Sequence, residues 1–223
     1  MGAVSGWPLI VIDAVLICAL VYGAKYFFFR PAPLYFRFMT CAVFCYMLSE
    51  LLWTAYYFCF SKKPEGIALF SLGFFGCYLF MLAVNYGPMD SIIDDGGPSA
   101  KRARVTALIA PALLILASIG LIFRNPEAGF FYHALMMLLQ LPKLAASYYS
   151  LKHLLIKDDN FGLSKAIKAS NVLALVIYAL DMAGYIFEQS GMKTAYYVTA
   201  ILVPACLFGT LIAGKRGYDR WLT

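Results

Sequence analysis

A chain of 223 residues that is 62% hydrophobic and 13% charged, with a mean hydropathy of +0.75, falls outside the composition of soluble domains and is expected to be a polytopic membrane protein. Its net charge of +6 implies no nucleic acid, because the basic residues sort to one side of the expected spans. The short connections leave no room for a soluble catalytic or DNA-binding domain.

Seven apolar runs approach the ~20 residues needed to cross a ~30 Å hydrocarbon core. They lie at 7–29, 38–60, 66–87, 104–123, 129–152, 169–188 and 194–214. The expected fold class is all-α, with seven transmembrane helices forming one domain over 1–223. Helix 1 has no basic region before it, and its first positive side chain is Lys25, so it is expected to remain as a span rather than be cleaved. It carries Asp13 one to two turns from its start. Helix 2 holds Glu50 within Tyr46-Met-Leu-Ser-Glu-Leu-Leu-Trp53, and helix 3 ends near Asn85. The following Asp94-Asp-Gly-Gly-Pro98 reads as an ordinary turn, as does Asp158-Asp-Asn-Phe-Gly162.

Helix 4 contains Pro111 in its first half. Helix 5 places Gln140, Pro142 and Lys143 near its middle, helix 6 carries Tyr178 and Asp181, and helix 7 is interrupted by Pro204. Proline inside a helix removes a backbone hydrogen bond and kinks it, so Pro142 and Pro204 are candidate hinges. An ionisable group at the bilayer centre costs roughly 2.5–3.5 kcal/mol, and persists mainly where it pairs, faces a cavity or does work. Lys143, Glu50 and Asp181 are therefore expected to converge on one midplane site. A proton shared between the two acids would be a natural coupling element. Asp13 is a candidate for its entrance. Gln140 and Asn85 supply amides, and Tyr46 and Tyr178 lie close to the acids by helical spacing.

Basic residues set the orientation, since positive loops stay on the cytoplasmic side. Lys25, Arg30, Arg37, Lys101, Arg102, Arg104, Lys152, Lys157, Lys165, Lys168, Lys215, Arg216 and Arg220 fall on one side, against Lys62, Lys63, Arg124 and Lys193 on the other. The N-terminus is thus expected outside and the C-terminus in the cytoplasm of a multi-pass cell-membrane protein. The basic inner face would favour anionic lipid headgroups at about 1 kcal/mol per residue.

Helices 1–3 align on helices 5–7 with nearly constant offsets: 127 for Lys25 with Lys152 and for Asp13 with Gln140, 131 for Arg37 with Lys168 and for Glu50 with Asp181, and 129 for Cys77 with Cys206. The units 7–87 and 129–214 would then be parallel repeats joined by a linker helix, 104–123. In this layout the chain resembles the SWEET and PQ-loop transporters and, more distantly, the wider transporter, opsin and receptor group with seven helices. Helix 5 has Gln140-Leu-Pro142, separated and reversed relative to the adjacent Pro-Gln of that family, and helix 1 has no interior proline. An opsin would need a lysine in the middle of helix 7 to hold retinal, and 195–213 has none.

The resemblance implies transport of a small polar or amphipathic solute by rocking of two halves about a fixed site. Proton coupling through the acids is the companion expectation. The rival expectation is a seven-helix sensor or receptor subunit that signals through a separate cytoplasmic partner. No enzyme is expected: His-x-x-x-His, His-Glu-x-x-His and Gly-x-Ser-x-Gly are all absent from the sequence. His133 and His153, twenty residues apart on one helix, would be about 30 Å apart and share neither metal nor haem. No cofactor or metal is implied.

Overall fold

The computed structural model describes residues 6–29, 32–60, 70–86, 90, 94, 96–124, 130–156 and 165–221. Among them the chain is all-α: α1 (Trp7–Phe29), α2 (Leu34–Phe60), α3 (Phe70–Val84), α4 in two segments (Pro98–Ala107 and Ile109–Arg124), α5 (Phe130–Leu155), α6 (Lys165–Gln189) and α7 (Lys193–Trp221). Part of α3–α4, with Asp95, and all of 158–162 lie outside the described residues.

Among the described residues, five stretches are both long and apolar enough to cross a membrane: Trp7–Phe28, Leu34–Phe60, Pro98–Phe123, Lys168–Gln189 and Lys193–Arg216. Helix α3 is described from Phe70, over 15 residues to Val84 and a π-turn at Asn85 and Tyr86, and the expected start of its span at 66 lies outside the described residues. Helix α5 has 26 residues, ample length, but it is polar along its buried face. Lys143, Ser147 and Ser150 follow an i, i+4, i+7 stripe and are all 0% exposed, while Leu138 and Leu141 point outward. Its polar face turns inward and its apolar face outward, the reverse of a helix on a soluble protein.

The start of α4 also departs from the expected 104. Gly97 precedes Pro98 in extended geometry, and proline suits the first helical turn because its missing N–H is not needed there. Ala100, Ala103 and Ala107 form the buried side, which keeps Lys101 and Arg102 exposed. The two segments meet at Leu108, whose N–H bonds to Val105 O at 3.2 Å. Pro111 explains the break, since its ring crowds the carbonyl four residues back and offers no N–H to it.

Helix packing closes a ring: α1 on α2, α2 on α3, α3 on α5, α5 on α6, α6 on α7 and α7 back on α1. Helix α4 packs outside this ring on α5 and α6. The core runs through Leu16, Val43, Cys77, Met81, Ala146, Ile177 and Leu207, each fully or almost fully buried. Large apolar side chains such as Val21, Leu113, Leu116 and Phe123 are exposed, as a lipid-facing belt requires. Burial of apolar surface cannot drive helices together in lipid, so close van der Waals contact must hold the ring. Gly73 shows this on α3, where a Cβ would lie 2.1 Å from Ser49 Oγ and 2.7 Å from Cys45 O of α2.

Candidate functional site

Lys143 and Asp181 meet inside the ring. Lys143 Nζ lies 2.7 Å from Asp181 Oδ2, with the lysine side chain 0% exposed and the aspartate 19%. The ammonium also lies over the Tyr78 ring at 5.4 Å and the Tyr185 ring at 5.9 Å. Three helices therefore surround one cation: α6 with a carboxylate and a ring, α3 with a second ring, α5 with the lysine itself. Aromatic faces carry partial negative charge and favour a desolvated cation, which lowers the cost of burying it. Pro142 is buried immediately before the lysine.

Glu50 of α2 is half-buried and lies near Tyr46, one turn earlier on its helix. It lies within electrostatic range of both Asp13 and Asp181. Tyr46 itself is 4% exposed and stacks edge-on with Phe74 at 4.9 Å, which fixes the hydroxyl near Glu50. Asp13 of α1 sits near Thr54 of α2. Among the described residues neither Asp13 Oδ1 nor Thr54 Oγ1 has a partner in hydrogen-bond geometry. Tyr78 Oη and Gln140 Oε1 are likewise buried without a partner. Buried polar atoms are normally satisfied, so four orphans on the inner helices call for an explanation.

Tyr178 faces a different neighbourhood. Its hydroxyl points to Met81 Sδ at 4.0 Å and lies near Ser150, while its ring meets Tyr78 at 5.8 Å. Asn85 Nδ2 donates to Ser150 Oγ at 3.2 Å and to Met81 O at 3.3 Å. Asn85 and Tyr178 thus join a polar seam between α3, α5 and α6, away from the lysine. Pro204 is buried in α7. The structure brings Lys143 and Asp181 into direct contact and leaves Glu50 within electrostatic range of Asp181.

A cavity of about 180 Å³ opens between α4, α5 and α6, toward the N-terminal end of α5. Ser118, His133, Met136, Met137, Gln140, Met182, Tyr185 and Glu188 are among its walls. Gln140 precedes Lys143 by one turn, Met182 follows Asp181, and Tyr185 is the ring that covers the ammonium. Lys143 and Asp181 themselves are not among its described walls.

A second charged cluster sits at the opposite end of α5. Lys152 is 2% exposed and pairs with Asp90 and, at 3.0 Å, with Asp94. His153 Nε2 lies 3.1 Å from Asp90 Oδ1. Arg104 of α4 donates two hydrogen bonds to Asp94, both at 2.7 Å, and the Gly96 N–H adds a third at 3.1 Å. The Asp94 turn is thus a hub linking α4 to α5 rather than an ordinary loop. The Arg104 guanidinium, joined by Lys152 and the Gly96 amide, holds the Asp94 carboxyl well below the usual carboxylate range. Acids at 90 and 94 facing a Lys-His pair at a helix end were the available signal, masked because both sets look like interfacial charge.

Comparison of the chain with protein-family models, with curated proteins and with solved structures finds no match in any of the three. Function has to be read from the residues themselves.

Proposed function

We propose that the protein is a multi-pass cell-membrane transporter for a small polar or amphipathic solute, coupled to proton movement. The lipid bilayer surrounds seven spans, with the N-terminus outside and the C-terminus in the cytoplasm. The observation that carries this reading is the charge balance inside the ring: Asp13, Glu50 and Asp181 share the interior with one lysine, which already contacts Asp181. Three carboxylates near one cation in a low-dielectric interior cannot all ionise cheaply. A proton resident on Glu50 or Asp13 relieves that imbalance, and a solute or a second proton that changes it gives coupling.

The ring supports the expected 3+1+3 plan as a reading of the packing. Exchanging α1, α2, α3 with α5, α6, α7 turns each neighbouring pair of the ring into another neighbouring pair, and leaves α4 outside. In the proposed orientation the cavity opens toward the outside, while the Asp90, Asp94, Lys152 and His153 cluster closes the inside. This cavity lies on the α4 side of α5 and α6 rather than between the two halves, and Pro142 and Pro204 would supply the hinges of the rocking motion. The receptor reading has less to stand on, since Arg104 and Lys152, two of the inner-face cations available to a partner, are already paired with acids.

The test is purified protein in proteoliposomes loaded with a pH-sensitive dye and exposed to a panel of small solutes. Solute-dependent proton flux is expected from the parent, and little from Glu50→Gln or Lys143→Met. Variants that match the parent for an identified solute would overturn the mechanism, and a stoichiometric cytoplasmic partner without flux would favour a receptor.

A further inference from the structure

The charged cluster at the C-terminal end of α5 holds one buried imidazole neutral, and from its geometry we propose that the cluster is a lock between α4 and α5, released when acid on that side protonates His153. The proposal deepens the transporter reading and rests on it only for what passes when the lock opens.

One carboxylate oxygen sets the chemistry. Asp90 Oδ1 is partnered both by Lys152 Nζ and by His153 Nε2, the latter at 3.1 Å. An ionised carboxylate only accepts, so Nε2 carries the hydrogen and the neutral ring leaves Nδ1 as a bare lone pair. That atom is buried and has no hydrogen-bond partner among the described residues. The His153 side chain is 0% exposed, and its ring centre lies 6.2 Å from that of Tyr149. A second proton would therefore put an N–H where nothing accepts it, and a second cation beside Lys152 on the same oxygen. Both penalties fall away once water reaches the ring.

The surrounding charges fix the direction. Among the described residues, the imidazole faces Asp90 and Asp94 of the α3–α4 connection, with Lys152 and Tyr149 of its own helix. Arg104 of α4 reaches the cluster through Asp94, Tyr148 through Lys152, and Tyr86 through Tyr149. Burial pushes the imidazole below its ordinary value; Asp90 and Asp94 oppose that shift, and Lys152 reinforces it. Asp94, held far below the usual carboxylate range by Arg104, stays ionised while His153 titrates. In the open state the hydrated ring takes its proton near 6.5, before the locked ring does. The lock is thus fully present above about 6.5 and is lost as pH falls toward the lower, locked value. Beneath it Ala100 and Ala103 of α4 pack on Ile156 beyond the end of α5, the surface that opening would expose.

That surface gives the readout. Ala103 is 3% exposed, while Lys101 on the same helix is exposed. In full-length protein in lipid nanodiscs, the rate at which N-ethylmaleimide modifies Ala103→Cys, read at that peptide by mass spectrometry, is divided by the rate at Lys101→Cys, so that the pH dependence of the thiol cancels. The ratio is expected to rise about fivefold from pH 7.5 to 5.5. With His153→Gln it should stay flat, because the amide keeps a donor for Asp90 and does not titrate. A flat ratio without that substitution, or the same rise with it, would overturn the proposal. If Ala103→Cys does not fold, histidine NMR of the unsubstituted chain decides: it has two histidines, His153→Gln assigns their signals, and a His153 midpoint at or above about 6.5 would overturn the lock. Acid-dependent opening without flux of any solute would sink the transporter reading and leave the lock standing. Solute-driven proton flux with a flat ratio would do the opposite.

Discussion

The Lys143 ammonium and the Asp181 carboxylate, 2.7 Å apart, tie α5 to α6 under a cover of two tyrosine rings. An ion pair out of water is sustained by its own geometry, and removing one partner strands the other. Lys143→Met is therefore expected to destabilise the protein by about 3–5 kcal/mol, with Asp181→Asn somewhat less because the aspartate keeps some exposure. The double variant Lys143→Met with Asp181→Asn should recover most of the loss, since neither site then carries a charge. Thermal unfolding in nanodiscs measures all three. Strict additivity of the single losses would show that the two residues are not coupled.

The Asp94 hub predicts a pH dependence with a definite sign. Arg104, Lys152 and the Gly96 amide depress the folded-state value of its carboxyl, so Asp94 contributes stability above its unfolded value, near 4, and loses it as pH falls toward the folded value. The contribution is complete at neutral pH. Asp94→Asn should therefore cost about 1 kcal/mol at pH 7, below the ~1.5–3 kcal/mol of a well-buried charged hydrogen bond because Arg104 is 46% exposed and solvent screens the pair. The gap between parent and variant should narrow as pH drops below about 4. A gap that widened in acid would contradict the direction of the shift.

The parts of the site that broke a rule were legible in the sequence. Lys143, Glu50 and Asp181 interrupt apolar runs, and each such interruption has an energetic cost that demands a partner. Tyr78 and Tyr185 were not legible as covers for the lysine, because aromatics are 17% of the chain and nothing local separates a packing tyrosine from one over a cation. Lys152 and His153 looked like charge at a helix end. They are paired with Asp90 and Asp94, which lie outside α5, and no period in the sequence encodes that contact. The polar stripe of Lys143, Ser147 and Ser150 was visible letter by letter, yet its inward direction follows only from where α3 and α6 stand. Pro111 was recognised as a breaker, and its effect appeared three residues earlier, at Leu108.

Close helix contact in lipid predicts a contrast between two glycines. Gly73→Ala should destabilise by about 1–3 kcal/mol, because the new methyl meets the Cys45 carbonyl, a backbone atom that cannot swing aside. Gly120→Ala on α4 has nothing within 4 Å of the added Cβ and should be neutral or slightly stabilising, by up to about 1 kcal/mol from helix propensity. Thermal unfolding of the two variants side by side checks the pair. Equal losses at both positions would mean that α2 and α3 are not in the contact described.

Glu50 and Asp13 separate a proton-carrying role from a positioning one. Glu50 lies in electrostatic range of both Asp13 and Asp181, and the nearby Tyr46 sits on its own helix, so replacing its carboxyl removes a titratable group with little change in packing. Glu50→Gln keeps the shape and a hydrogen-bonding head. In proteoliposomes it is expected to retain solute binding while lowering solute-driven proton flux by about tenfold or more, the scale of a lost proton-transfer group. Asp13→Asn, nearer the mouth, should change the pH at which flux is half-maximal more than its ceiling, because it acts on Glu50 through charge. If Asp13→Asn abolished flux and Glu50→Gln did not, the proton would be carried at the mouth, and the acid beside the ion pair would be a structural counterweight to Lys143.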